Sequence, residues 1–193
     1  MAVVADAGRI IAGTARGIRL EAPGAATRPL ADRVKQTLFA ILAGDLPGAN
    51  VLDLFAGSGA AGLEALSRGA AHATFVEREA GAAAVIAANL ARTRLAGERA
   101  RIVRADALPW LRGPDAATAG PFDIVIVDPP YAETALVAAA LEALGPLLAP
   151  GGRVVAKHFW RDPPPAQVGL LASERERRFG ETTLTFYRRE EDR

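Results

Sequence analysis

The chain has 193 residues, 50% of them hydrophobic, with 23 Lys and Arg against 22 Asp and Glu, a net charge of +1 and no cysteine. That length favours one domain with a small appendage, and the charge balance excludes a globally basic nucleic-acid binder, so any such surface must come from local clustering. Disulfides, thiolate catalysis and cysteine zinc sites are excluded, and His72 and His158 lie too far apart in sequence to suggest a metal centre.

The amino-terminal "MAVVADAGRIIAG" lacks a basic n-region, and no stretch approaches the roughly 20 apolar residues of a membrane span. A cytoplasmic protein with no membrane partner is expected. In chain order, "RIIAGTARGIRL" (9–20) places two short apolar runs around a glycine-containing turn and predicts a hairpin. In "LADRVKQTLFAIL" (30–42), Leu30, Val34, Leu38, Phe39, Ile41 and Leu42 form one apolar helical stripe, with Asp32, Arg33, Lys35 and Gln36 opposite.

From residue 50 strands and helices alternate. "NVLDLF", "HATFVE", "ARIVRAD", "FDIVIVDPP" and "GGRVVAKHF" read as strands, and "SGAAGLEALSRG", "EAGAAAVIAANLARTRL", "ALPWLRG" and "ETALVAAALEAL" as the helices between them. This alternation predicts an α/β, Rossmann-like fold: a mostly parallel central sheet with helices on both faces. "GLLASERERRF" and "ETTLTFYRR" then form an antiparallel C-terminal hairpin turning at Gly180. The expected organisation is an N-terminal hairpin–helix extension over residues 1–45 and a Rossmann-like domain over 46–193.

Gly57, Gly59 and Gly62 of "FAGSGAAG" (55–62) spell the G-x-G-x-x-G of dinucleotide sites, with Glu77 at the spacing of a ribose-binding acid. Asp53, four residues before Gly57, argues against NAD. A carboxylate there repels a pyrophosphate, yet attracts the ammonium and sulfonium of S-adenosylmethionine. Glu77 suits a ribose in either ligand. Asp106, after the third strand, suits an adenine amine or caps the helix beginning there.

"DPPY" ends the fourth strand at Asp128, Pro129, Pro130 and Tyr131. A purine's exocyclic nitrogen is a poor nucleophile because its lone pair is delocalised into the ring. The Asp128 carboxylate and Pro129 carbonyl can each accept one N–H, turning that lone pair toward a methyl donor, while Tyr131 stacks on a base flipped from its helix. A hydride-transfer enzyme has no evident use for such a group, so a methyltransferase is expected.

Taken together, "RIIAG", "TRPLADRVKQTLF", "VLDLFAGSGAAGLEALSRGA", "DPPY" and "FGETTLTFY", in that order, resemble the bacterial 16S rRNA guanine-N2 methyltransferases of the RsmD type, over about Arg9 to Tyr187. The resemblance implies a methyltransferase fold, S-adenosylmethionine as donor, and a guanine of 16S rRNA in an assembling small ribosomal subunit as acceptor, with the enzyme a monomer. It implies that Asp53 and the loop Phe55, Ala56, Gly57, Ser58 and Gly59 meet the methionine end, Glu77 the ribose, Asp106 the adenine, and Asp128 to Tyr131 the target amine. The chain departs from the family's pattern at Ala12-Gly13, Leu30-Ala31 and Lys35-Gln36, and at Lys157, where an acid is expected.

Arg9, Arg16, Arg19, Arg28, Arg33 and Lys35 precede the catalytic domain, with only Glu21 and Asp32 among them, and predict phosphate contacts beside the active site. "SERERRF" alternates acids with arginines and reads as a salt-bridged strand; Trp110 and Trp160 read as packing residues. The rival readings are an adenine-N6 methyltransferase acting on RNA or DNA, an NAD-dependent oxidoreductase, and a non-catalytic RNA-binding protein.

Overall fold

The structure is a computed structural model that describes residues 6–24, 30–130, 133 and 135–190. The chain begins with strands β1 (Asp6–Arg9) and β2 (Arg19–Glu21) and helix α1 (Asp32–Ile41). Alternation follows as β3 (Asn50–Asp53), α2 (Ala60–Ser67), β4 (His72–Glu77), α3 (Ala80–Thr93) and β5 (Ala100–Arg104). Short helices α4 (Ala107–Leu111) and α5 (Pro114–Ala119) lead to β6 (Phe122–Val127), α6 (Ala135–Leu144) and β7 (Leu148–Phe159). The chain closes with β8 (Gln167–Val168), β9 (Leu171–Phe179) and β10 (Thr182–Arg189). No described helix is long and apolar enough to cross a membrane.

The main sheet has eight strands in the order β5-β4-β3-β6-β7-β10-β9-β8. The first five of these run parallel, while β10, β9 and β8 pair antiparallel. In β6, "FDIVIV" is continuously apolar apart from Asp123 and is β-branched, because a central parallel strand is covered on both faces. Alternation along the strands sorts the core. Ile124, Ile126, Val155, Leu184 and Phe186 meet α1 and α2 on one face; Val125, Val127, Val154, Ala156 and Tyr187 meet α4 and α6 on the other. At Gly62, an added Cβ would lie 2.3 Å from Phe75 Cε1, so the third glycine of the fingerprint serves close packing of α2 on the sheet.

Two local expectations change. The hairpin forms, but its strands flank the apolar runs. Residues 10–18 make a compact loop closed by Ile10 N–H to Ile18 O (3.0 Å) and Gly17 N–H to Ile10 O (2.8 Å). The reason lies in α2: Glu64 accepts from the Ile11 and Ala12 amides at 2.7 and 3.0 Å, and Ser67 Oγ accepts from Ala15 N–H and donates to Ala12 O. That loop needs glycine at 13, where φ is +86° and a Cβ would fall 1.8 Å from Ser67 O; Ala12 is accommodated beside it.

The second change is Lys35. It is fully buried on the core side of α1, its Nζ donating to Arg9 O at 2.5 Å, so it cannot be the phosphate contact expected of it. Its aliphatic stem packs like an apolar side chain while its tip finds a backbone acceptor. Burial lowers its pKa, against the raising fields of Glu64 and Asp32.

Candidate active site

The chain runs outward from β3 through β4 to β5, then returns to β6 on the other side of β3. The carboxyl ends of β3 and β6 therefore meet at the switch point, where open α/β sheets bind ligands. A cleft of about 1010 Å³ opens there, lined by Asp53, Glu77, Asp106, Asp128 and Lys157 among others. Strand alternation and register put Glu77, Asp53, Asp128 and Lys157 on one face, each from one of four neighbouring strands.

The loop after β3 is fixed by the strands on each side: Leu54 N–H donates to Ile126 O and Ala56 N–H to Val76 O, both at 3.0 Å. Gly57 and Gly59 take φ of 54° and 78°, and Gly59 opens α2. Two amides of this turn are committed to carboxylates. Gly57 N–H donates to Glu77 Oε2 at 2.8 Å, and Gly62 N–H to Asp53 Oδ2 at 2.9 Å. An anion arriving here would find acids where a phosphate loop offers open N–H groups. The cleft suits a cationic ligand and opposes a pyrophosphate.

Asp53 is 2% exposed. Burial pushes its carboxyl up to about 7, aided by the charges of Asp128 and Glu77 and opposed by the Gly62 N–H. Burial also raises the Asp128 carboxyl, while Lys157 pulls it back down: Lys157 Nζ lies 2.5 Å from Asp128 Oδ1. A cation arriving near Asp53 restores that group's preference for the charged form.

Most of the residues singled out from the sequence converge here. Phe55, Ala56, Gly57 and Ser58 line the cleft with Asp53, and Gly59 anchors the turn behind them. Asp106 stands at the N-cap position of α4 yet makes no capping bond, so its exposed carboxylate faces the cleft uncommitted to the helix. Pro129 is buried, Pro130 is exposed, and Glu133 N–H closes the turn on Pro130 O at 2.9 Å. Tyr131 lies outside the described residues.

The N-terminal arginines are spread more widely. Arg9 is exposed and pairs with Asp32 at 3.2 Å, Arg19 pairs with Asp6, and Arg16 and Arg33 are exposed. Arg28 lies outside the described residues. Pro23 and Leu30 line the cleft. His158 is a core residue, its ring nitrogens 2.9 Å from Phe159 O and 2.8 Å from Thr185 Oγ1.

Two contributors escaped the sequence reading. Lys157 registered there only as an oddity. Asn89, fully buried in α3, takes the Glu21 amide on Oδ1 and donates Nδ2 to the carbonyls of Glu21 and Ser58, each at 2.9 Å. It ties the N-terminal hairpin to the glycine loop. Its signal was a lone carboxamide on the apolar stripe of "VIAANLA", as Glu64 was in "GLEAL".

A family profile described as conserved hypothetical protein 95 matches residues 8–188. YlbH of Bacillus subtilis is 36% identical over 183 residues, 94% of this chain and 98% of that one. The ribosomal RNA small subunit methyltransferase D of Escherichia coli K12 is 47% identical over 124 residues, 64% of this chain and 60% of that one. Among solved structures, the Escherichia coli protein yhhF superposes with a TM-score of 0.81 at 35% identity, covering 94% of this chain and 97% of that one. The chain belongs to the conserved hypothetical protein 95 family, the family of the RsmD-type methyltransferases.

Proposed function

We propose that the protein transfers a methyl group from S-adenosylmethionine to the exocyclic N2 of a guanine in small-subunit rRNA. The observation that carries this reading is the meeting of Asp128, held by Lys157, with the acid-lined cleft of Asp53 and Glu77. Family membership supports rRNA methylation; the N2 choice rests on the resemblance of the whole chain to the guanine-N2 enzymes.

S-adenosylmethionine, when bound, supplies a methyl carbon activated by a positively charged sulfur. Asp53 and the 55–59 loop would hold its methionine end, Glu77 its ribose and Asp106 its adenine. Asp53 and Glu77 already satisfy backbone amides, so they are fixed in place before a ligand arrives and lose little freedom on binding.

On the acceptor side, Lys157 occupies Asp128 Oδ1, leaving Oδ2 for an N–H of the target amine. The Pro129 carbonyl would take the second N–H, and Tyr131 would stack on the base. Burial raises the Asp128 carboxyl and the Lys157 ammonium opposes that rise, favouring the charged form, in which Oδ2 is a competent acceptor for the proton the nitrogen sheds after alkylation. Arg9, Arg16, Arg28 and Arg33 would contact phosphates around the target, and a single chain carries all of these parts.

Labelled methyl transfer to small subunits lacking the modification, followed by nucleoside analysis, tests the reading. N2-methylguanosine is the expected product. N6-methyladenosine would replace it with the adenine enzyme, and no transfer would refute both. The oxidoreductase is disfavoured by the glycine-loop amides already bound to carboxylates.

A further inference from the structure

The charges along the catalytic rim change sign from one side of the sheet to the other. Glu77, Asp53 and Asp128 are acids on β4, β3 and just beyond β6. Lys157 follows on β7, and continuing through the ladder, Lys157 pairs with Leu184 of β10 and Leu184 with Arg177 of β9. Directly paired residues share a face, so Arg177 stands on the same face as Lys157, about 10 Å away across two strand spacings.

Beyond this row the sheet projects past the catalytic mouth. β7 continues to Phe159 and turns at Trp160 and Arg161, with Trp160 N–H bonded to Glu181 O of the β9–β10 turn. The tip is a cation–aromatic cluster: the Arg178 and Arg161 guanidiniums lie 4.0 and 4.8 Å from the Trp160 ring centroid, and Phe159 packs 6.2 Å from it. Trp160 is half-buried while the arginines are exposed, so the tryptophan serves as a shelf that holds two guanidiniums outward. Arg178 pairs with Thr183, one step from the Leu184–Arg177 pair, so it starts from the face opposite Arg177 and the tip carries cations on both faces of the sheet.

The salt-bridged strand expected of "SERERRF" is only partly present. Glu174 is engaged by Arg153 and Arg188, and Glu176 lies 3.3 Å from the Thr185 hydroxyl. Arg175, Arg177, Arg178 and Arg161 have no carboxylate partner among the described residues, and Asp162 and Glu181 are too few to balance them.

We propose that this tip, with Arg177 on the face of Lys157 and Arg178 starting from the opposite face beside Trp160 and Arg161, is a second rRNA-binding surface that grips backbone phosphates passing over the end of the sheet, next to the base delivered to Asp128. The inference rests on the rRNA reading above. Its physical content is a polarity: the acidic half of the rim receives a cationic donor, and the basic half receives a polyanion, so each substrate is repelled from the other's place.

The test compares the wild type with an Arg161→Glu/Arg177→Glu variant and with Arg94→Glu/Arg101→Glu, which makes the same charge change at exposed positions away from the rim. Binding to unmodified, protein-free small-subunit rRNA is measured against salt, alongside the KM for subunits and titration with S-adenosylhomocysteine. The tip variant is expected to weaken RNA binding and raise KM, each by several-fold, with a salt slope shallower by about 0.7 for each phosphate it no longer neutralises. Its S-adenosylhomocysteine affinity should match that of the control variant.

A tip variant that binds RNA like the control overturns the proposal, whatever the methyl-transfer result. Weakened capture of intact subunits with unchanged binding to free rRNA also overturns it, because the surface then faces a protein. A wild type that methylates no rRNA refutes the function itself, and the RNA-binding arm still decides the fate of the tip.

Discussion

The two halves of the catalytic rim hold their carboxylates by different means. On the β3–β4 side, Asp53 and Glu77 are bonded to main-chain amides of Gly62, Gly57 and Glu79, groups that do not move without unwinding the turn. On the β6–β7 side, Asp128 is held by the ammonium of Lys157, at the end of a flexible stem. Under the proposed function the difference matches what each half would do. A donor site needs a fixed, pre-shaped cradle, whereas an acceptor site must free one oxygen for an arriving amine.

The sharpest break in that comparison is Asp128→Ala. Methyl transfer should fall by about 10²–10³-fold, as when one positioned polar group is removed from an active site. S-adenosylhomocysteine binding by calorimetry should hardly change; equal loss of both would erase the distinction between the halves. Asp53→Asn should do the reverse, weakening donor binding by about tenfold or more because a charge-assisted hydrogen bond is replaced by a neutral one.

The same residue sets a pH dependence. With the carboxyl raised to about 7, the empty protein binds a proton there that the unfolded chain has already released. Stability from this group therefore falls as pH rises from the ordinary carboxyl range toward 7 and is lost above it. Donor binding follows the opposite course, weakening as pH drops below about 7 because the charged form is the one that attracts a cation. Melting temperature and donor affinity from pH 5 to 8 should thus move in opposite directions, and Asp53→Asn should flatten both.

Lys157→Met sharpens the comparison on the other side. Removing the ammonium removes what lowers the Asp128 carboxyl, so the acid limb of the pH–rate profile should shift to higher pH, with a several-fold loss at neutral pH. An unshifted limb would make Lys157 a packing residue. The smallest effect is expected of Asn89→Ala, which strands the Glu21 and Ser58 groups at a cost of about 1–3 kcal/mol, measurable by denaturant unfolding.

Much of this was legible in the chain. The strand–helix rhythm, the acid at the end of β3 and "DPPY" after β6 each depend on local pattern, and local pattern is what hydrophobic period and turn chemistry encode. What stayed hidden depends on partners distant in sequence. Lys35 looks solvent-facing on a helical wheel until the Arg9 carbonyl arrives from another element. The strands of the N-terminal hairpin shift outward because Glu64 captures the loop amides from 52 and 53 residues away. Helix α5 was missed in "PDAATA", where six residues without an apolar stripe give no period to read. Lys157 was noticed as a departure, yet its meaning required the β6–β7 register.

Asn89 joins two regions through one carboxamide. Because the same side chain grips both the Ser58 carbonyl in the glycine loop and the backbone of β2, ordering either end favours ordering the other, and by thermodynamic reciprocity the benefit runs equally in both directions. Donor occupancy should then slow amide hydrogen exchange around residues 19–22.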